Sequence, residues 1–89
     1  MITPGTPNPF PIPGTQVCIP FTSTSGGAPV AQVDHGSGGT ISPTISALAH
    51  PQHTYVLCFT WPAGNTSSSV TIEVGSESVT FSVIGTGGP

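Results

Sequence analysis

Between Thr6 and Gly14 the chain reads TPNPFPIPG, with proline at every second position: Pro7, Pro9, Pro11 and Pro13. Proline fixes φ near about −65° and carries no N–H, so this stretch cannot be helical and cannot lie inside a sheet. Because a strand turns successive main-chain groups to opposite sides, the prolines empty one edge of donors. Asn8, Phe10 and Ile12 keep theirs on the other edge. Such a segment can join a sheet once, on one side only. Residues 1–15 are therefore expected to form an extended arm that docks in cis or in trans, with Ile2, Phe10 and Ile12 as its apolar anchors. Residues 16–89 are expected to form one small domain.

From Gln16 onward the texture is β. Short runs of Val, Ile, Thr and aromatic residues alternate with Gly, Pro, Asn and Ser clusters, at the spacing of an all-β sandwich. Strands are expected near 16–24, 29–34, 54–61, 68–75 and 78–85. The segment 39–50 admits a strand or one or two helical turns at 43–50. Ile41, Ile45 and Leu48 fall at helical spacing, Ser42 can cap, Pro43 suits a first helical position and Pro51 ends the run.

The last hairpin is the clearest element. Val70, Ile72 and Val74 alternate with Ser69, Thr71 and Glu73, and Val79, Phe81 and Val83 alternate with Thr80 and Ser82. A two-residue Gly75-Ser76 turn pairs Ile72 with Val79; a four-residue loop pairs Val74 with Val79. Both put every apolar residue on one face.

Two cysteines in a chain of 89 residues, Cys18 and Cys58, read as a disulfide; the competing reading is a pair of buried free thiols. On a chain-entropy basis the bridge contributes up to about 4 kcal/mol. Parity places each cysteine opposite a bulky stripe: Val17, Ile19 and Phe21 in one strand, Tyr55, Leu57, Phe59 and Trp61 in the other. Three arrangements follow. The bridge lies inside and the stripes face outward; or the stripes form the core and the bridge clips neighbouring strands on the outer surface; or a bulge at Pro20 breaks the parity.

The charge inventory narrows the function classes. There is no Lys or Arg, only Asp34, Glu73 and Glu77, and the basic side chains are His35, His50 and His53. Nucleic-acid binding depends on Lys and Arg neutralising phosphates, and attraction to anionic membranes depends on the same residues, so neither partner is expected. No apolar run approaches the roughly 20 residues of a membrane span. The Met1 end lacks the basic start and apolar core of a signal peptide, which reads as a chain already processed. Only 3% of residues are charged, far below the roughly 25 to 35% of a typical soluble surface. Two explanations fit and are compatible with each other: glycan covers the many Ser and Thr residues, and the working state is an assembly.

No catalytic centre, metal site or cofactor is expected. His50-Pro51-Gln52-His53 together with Asp34-His35 has metal-binding residue types, but the proline prevents a regular helix and nothing brings the two segments together. Glu73 and Glu77 flank a hairpin turn and do not face each other across a cleft. Asp34 and His35, adjacent in a strand, point to opposite faces, which defeats a triad with a serine. Gly36-Ser37-Gly38-Gly39-Thr40 lacks the lysine of a phosphate loop. Asn65-Thr66-Ser67 matches the N-glycosylation triplet after a turn, making Asn65 a candidate acceptor. Trp61 or Tyr55, if exposed, would supply a face for stacking on a sugar ring.

With Cys18, Tyr55, Cys58 and Trp61 in a β-rich chain, residues 16–85 resemble an immunoglobulin-like antiparallel sandwich. The stretch SPTISALAHPQHTYVLC is similar to the helical turn and tyrosine corner before that fold's second cysteine. The sequence departs from it in that Tyr55 precedes Cys58 by three residues and Trp61 follows the cysteine pair. The arm is similar to that of pilus and fibre subunits, whose N-terminal extension completes the sheet of the next subunit. These resemblances imply an extracellular or virion-surface structural subunit, a secreted filament or surface layer that assembles head to tail with itself. The alternatives are a monomeric carbohydrate- or protein-binding module and a phage decoration or fibre domain.

Overall fold

The computed structural model describes residues 1–8, 10–24, 26–36, 39–48 and 53–86. They form eight strands: β1 (Ile2–Pro4), β2 (Gln16–Ser23), β3 (Pro29–Asp34), β4 (Thr40–Ile41), β5 (Thr44–Ala47), β6 (Thr54–Thr60), β7 (Ser67–Val74) and β8 (Glu77–Ile84). Two antiparallel four-stranded sheets, in the orders β1-β2-β6-β5 and β4-β3-β7-β8, pack face to face as a small β-sandwich. Of the two readings of 39–50, the described residues adopt the strand. Thr44–Ala47 pairs with Cys58–Tyr55 at the edge of the first sheet. Residues 49–52, which include His50, lie outside the described residues.

The core is built by the period-2 stripes. Val17, Ile19 and Phe21 of β2 and Tyr55, Leu57 and Phe59 of β6 meet Val33 of β3, Val70, Ile72 and Val74 of β7 and Val83 of β8. Trp61 closes one end. Burying a Val, Leu, Ile or Phe side chain contributes about 1.5 to 3 kcal/mol, and the two stripes place one on every second residue of each central strand. The stripes are thus the core, and the second of the three disulfide arrangements is the one adopted.

Gln16–Thr22 pairs with Thr60–Thr54 in an unbroken register, with no bulge at Pro20, and Cys18 lies directly opposite Cys58 on the sheet's outer face. Cys18 spends its main-chain N–H and C=O on Asn8. The Cys18–Cys58 pair is therefore a non-hydrogen-bonded one, the kind whose Cα atoms approach most closely; here they are 4.1 Å apart. The bridge clips neighbouring strands of one sheet and leaves the interior to apolar side chains.

The last hairpin takes the shorter connection: Val74 pairs with Glu77, Ile72 with Val79 and Val70 with Phe81. Gly75 has φ 61° and Ser76 does not share the positive φ, which is the type II′ arrangement with glycine in the first central position. Gly27 passes over this turn so closely that a Cβ there would lie 2.7 Å from the Gly75 nitrogen.

Because the cysteines face outward and break no core contact, a Cys18→Ser, Cys58→Ser chain is expected to keep the sandwich. Its unfolding free energy in urea should fall by about 2 to 4 kcal/mol. A loss of the near-ultraviolet circular dichroism of Trp61 in that variant would show that the bridge is needed for the core itself.

Candidate functional site

The arm belongs to the sandwich for part of its length. β1 lies antiparallel on β2 with Ile2 opposite Ser23, Thr3 opposite Thr22 and Pro4 opposite Phe21, and Ile2 is buried in the core. Gly5 N–H donates to the Pro20 carbonyl at 2.7 Å. Further along, Asn8 and Cys18 exchange both main-chain bonds, at 2.9 and 3.0 Å. From Pro4–Phe21 to Asn8–Cys18 the arm advances four residues and β2 three. The arm therefore carries one extra residue, a bulge over Gly5–Pro7. Pairing then stops. Pro11 is buried at the end of the sandwich, its carbonyl accepting from Thr86 N–H at 3.0 Å, and Gly85 leaves no room between Pro11 and Trp61 for a side chain.

Of the three anchors expected from sequence, Ile2 therefore packs into its own domain. Phe10 is 64% exposed and Ile12 46% exposed, where the chain crosses the end of the sandwich. Of the three residues whose N–H groups were expected on the usable edge, Asn8 pairs with β2, and Phe10 and Ile12 lie beyond the pairing. Gly5 and Asn8 turn their N–H groups to β2, and Pro4, whose position opposite Phe21 turns its nitrogen outward, has no N–H to offer. At the other end Met1's amino group binds Glu77 and Thr24, and this bond holds the Glu77 carboxyl below its ordinary value.

The same end of the molecule as Trp61 holds a polar cluster that joins three segments. His35 follows β3, and Ser68 extends the buried stripe of β7 by one inward position; both are buried. His35 Nδ1 meets Ser68 Oγ, to which Asn65 Nδ2 also donates at 2.8 Å. The imidazole lies against Phe59 and Trp61, with ring centroids 5.8 and 6.0 Å away, and its Nε2 has no hydrogen-bond partner among the described residues. Trp61 Nε1 donates to the Asn65 and Thr86 carbonyls at 2.8 and 3.1 Å. An open polar recess of about 340 Å³ borders the cluster.

A hydroxyl and an imidazole in contact have the atoms of a nucleophile and its base. Here Ser68 is buried, its oxygen is occupied by Asn65, and among the described residues no group orients the far nitrogen of His35. The cluster is arranged to satisfy the end of the sandwich. Asn65, the candidate glycan acceptor, has its amide nitrogen engaged with Ser68, and a sugar attached there would leave one N–H for that bond. Trp61 and Tyr55 are both buried, the latter stacked on Phe21 with centroids 5.3 Å apart, so neither presents a ring face for sugar stacking. His53 is exposed with φ 61°, Asp34 accepts from Gly36 N–H at 2.8 Å, and no metal-type cluster occurs among the described residues.

Sequence reasoning missed the His35–Ser68–Asn65 cluster, although parity contained half of it. Counting back by twos from Val70 places Ser68 inside, and Asp34 outside places His35 inside. That the two ends meet depends on the pairing of Asp34 with Ser69.

No protein-family model matches the chain, and no curated protein or solved structure matches it.

Burial holds the His35 pKa below its ordinary 6.5, against a smaller opposing effect of Asp34. A histidine favoured neutral in the fold contributes stability that is complete above about pH 6.5 and is lost as pH falls from there toward the lowered folded pKa. Thermal melts are expected to show the midpoint dropping between about pH 7 and pH 5. A His35→Asn chain, which keeps an acceptor near Ser68 and cannot titrate there, should lose less over that window; an equal loss would assign the effect to other groups.

Proposed function

We propose that the protein is a structural subunit that assembles with copies of itself at a cell or virion surface, through exchange of its N-terminal arm. The observation that carries this reading is that one sheet is completed by a terminal strand joined to its domain through the connection 5–15. That strand makes main-chain bonds to β2 and inserts one core side chain, Ile2. The same bonds form equally well with β2 of a neighbour. Gly14, at φ 82°, supplies a pivot beside the turn closed by Thr15 N–H and the Ile12 carbonyl. Exchange of this kind is head to tail and need not close, so it yields linear filaments.

The near absence of charge supports the same reading, as does an outer face of the second sheet made largely of Ser and Thr. Such a surface has little electrostatic repulsion to keep copies apart. The exposed Phe10 and Ile12 lie where an exchanged arm would cross from one subunit to the next. The disulfide favours an oxidising, extracellular location. The strand order supports an immunoglobulin-like reading: β1-β2-β6-β5 over β3-β7-β8 follows the ABED and CFG sheets, with β4 added beside β3. The cysteine bridge differs from that family's, since it lies within one sheet.

The test locks the arm in cis. Thr3 and Thr22 are directly opposite and exposed, so a Thr3→Cys, Thr22→Cys chain oxidised at high dilution closes the arm onto its own β2. The locked chain is expected to form no filaments at concentrations where a Thr3→Ser, Thr22→Ser control does. Filaments of equal length from the locked chain would overturn arm exchange.

A further inference from the structure

The four sheet edges are unequally protected. The β1 edge carries prolines, β4 is two residues long, and β5 is four residues long and preceded by Pro43. Short edges and prolines are the usual means of preventing unwanted strand pairing. β8 has neither. It runs eight residues without proline, its one charge, Glu77, stands at its first position, and that carboxylate is paired with Met1.

The hairpin register fixes which groups are open. A two-residue turn makes Val74–Glu77, Ile72–Val79, Val70–Phe81 and Ser68–Val83 the hydrogen-bonded pairs with β7. The main-chain groups of Ser78, Thr80, Ser82 and Ile84 then point away from β7, and among the described residues nothing pairs with them there. On the inner face of the same strand Val79 and Phe81 are only half-buried at the rim of the core.

We propose that β8 pairs antiparallel with β8 of a second copy of this chain, joining two second sheets into one continuous eight-stranded sheet. One register satisfies both faces. With the two-fold axis at Phe81, the outward groups of Thr80 meet those of Ser82 of the second copy, and Ser78 meets Ile84. On the inner face Phe81 opposes Phe81 of the second copy and the half-buried Val79 opposes the buried Val83, so the two half-buried side chains each gain an apolar neighbour. Glu77 falls opposite Gly85, and no carboxylate meets another. With no Lys or Arg the edge has no charge that would select an unlike partner. The first sheet stays unjoined, because β1 occupies the same flank, as its contact with Glu77 shows, and its outward position at Pro4 lacks a donor.

This contact is separate from arm exchange, so the arm-locked chain reads it alone. In sedimentation velocity at millimolar concentration that chain is expected to run as a dimer of two 8.9 kDa chains, and a monomer would overturn the proposal. Amide hydrogen exchange of the unsubstituted chain provides a readout independent of any variant. Protection at Ser78, Thr80, Ser82 and Ile84 should rise at least tenfold between dilute and concentrated protein, while Val79, Phe81 and Val83 stay protected in both. Concentration-independent exchange at the four even positions would overturn it. Thr80→Pro in the locked chain removes an outward N–H and keeps the main-chain bonds to β7, losing only the hydroxyl contact with Thr71 that a Thr80→Val control also loses, and is expected to weaken dimerisation at least tenfold relative to that control; a dimer of unchanged affinity contradicts the register.

Discussion

The structure depends on how the main-chain groups of β2 are satisfied. A strand in the middle of a sheet must be paired on both sides, because a buried N–H or C=O without a partner costs about as much as a lost hydrogen bond. β6 serves one side of β2 and the arm serves the other, through Gly5 and Asn8 and the short ladder of β1. Three features follow from this pairing. Cys18 is left in a non-hydrogen-bonded position opposite Cys58, suited to a bridge on the outer face. Ile2 is carried into the core. The edge that the arm presents to solvent is poor in donors, so the first sheet ends there.

Without lysine or arginine the domain cannot protect its surface and edges with charge, and it uses backbone chemistry instead. Proline, strand shortening and a bulge at Gly5–Pro7 replace the charged residues found on most exposed edges. The outer face of the second sheet is kept hydrated by hydroxyl groups such as the Thr71–Thr80 pair, whose oxygens are 3.1 Å apart. This leaves β8 as the long strand not covered by either device. The polar end, by contrast, is closed by His35, Ser68 and Asn65, which supply hydrogen bonds where the apolar stripes run out.

Much of the sandwich was legible in the sequence because its strands alternate strictly. Val70, Ile72 and Val74 against Val79, Phe81 and Val83 fixed the inward face whatever the turn, and alternation grouped Tyr55, Leu57, Phe59 and Trp61 on one face of β6 without deciding that this face is the inner one. The position of the bridge was not legible, since parity alone allowed an inward pair, an outward clip or a bulge; the unbroken β2–β6 register selects the clip. The segment 39–50 was ambiguous because Ile41 and Ile45, four residues apart, satisfy either period while Leu48 fits the helical one; pairing of Thr44–Ala47 with β6 decides it. Proline spacing showed that the arm has one usable edge. It did not show that the edge rests on the chain's own β2, because local sequence does not encode how residues 5–15 turn back at Gly14.

Arm exchange is most directly tested by electron microscopy of the oxidised full-length chain across a concentration series. The arrangement predicts filaments one subunit wide or paired along β8, lengthening as concentration rises. Isolated particles no longer than the 40 Å long axis of one sandwich at every concentration would contradict it, and would leave the arm as a strand that serves its own domain alone.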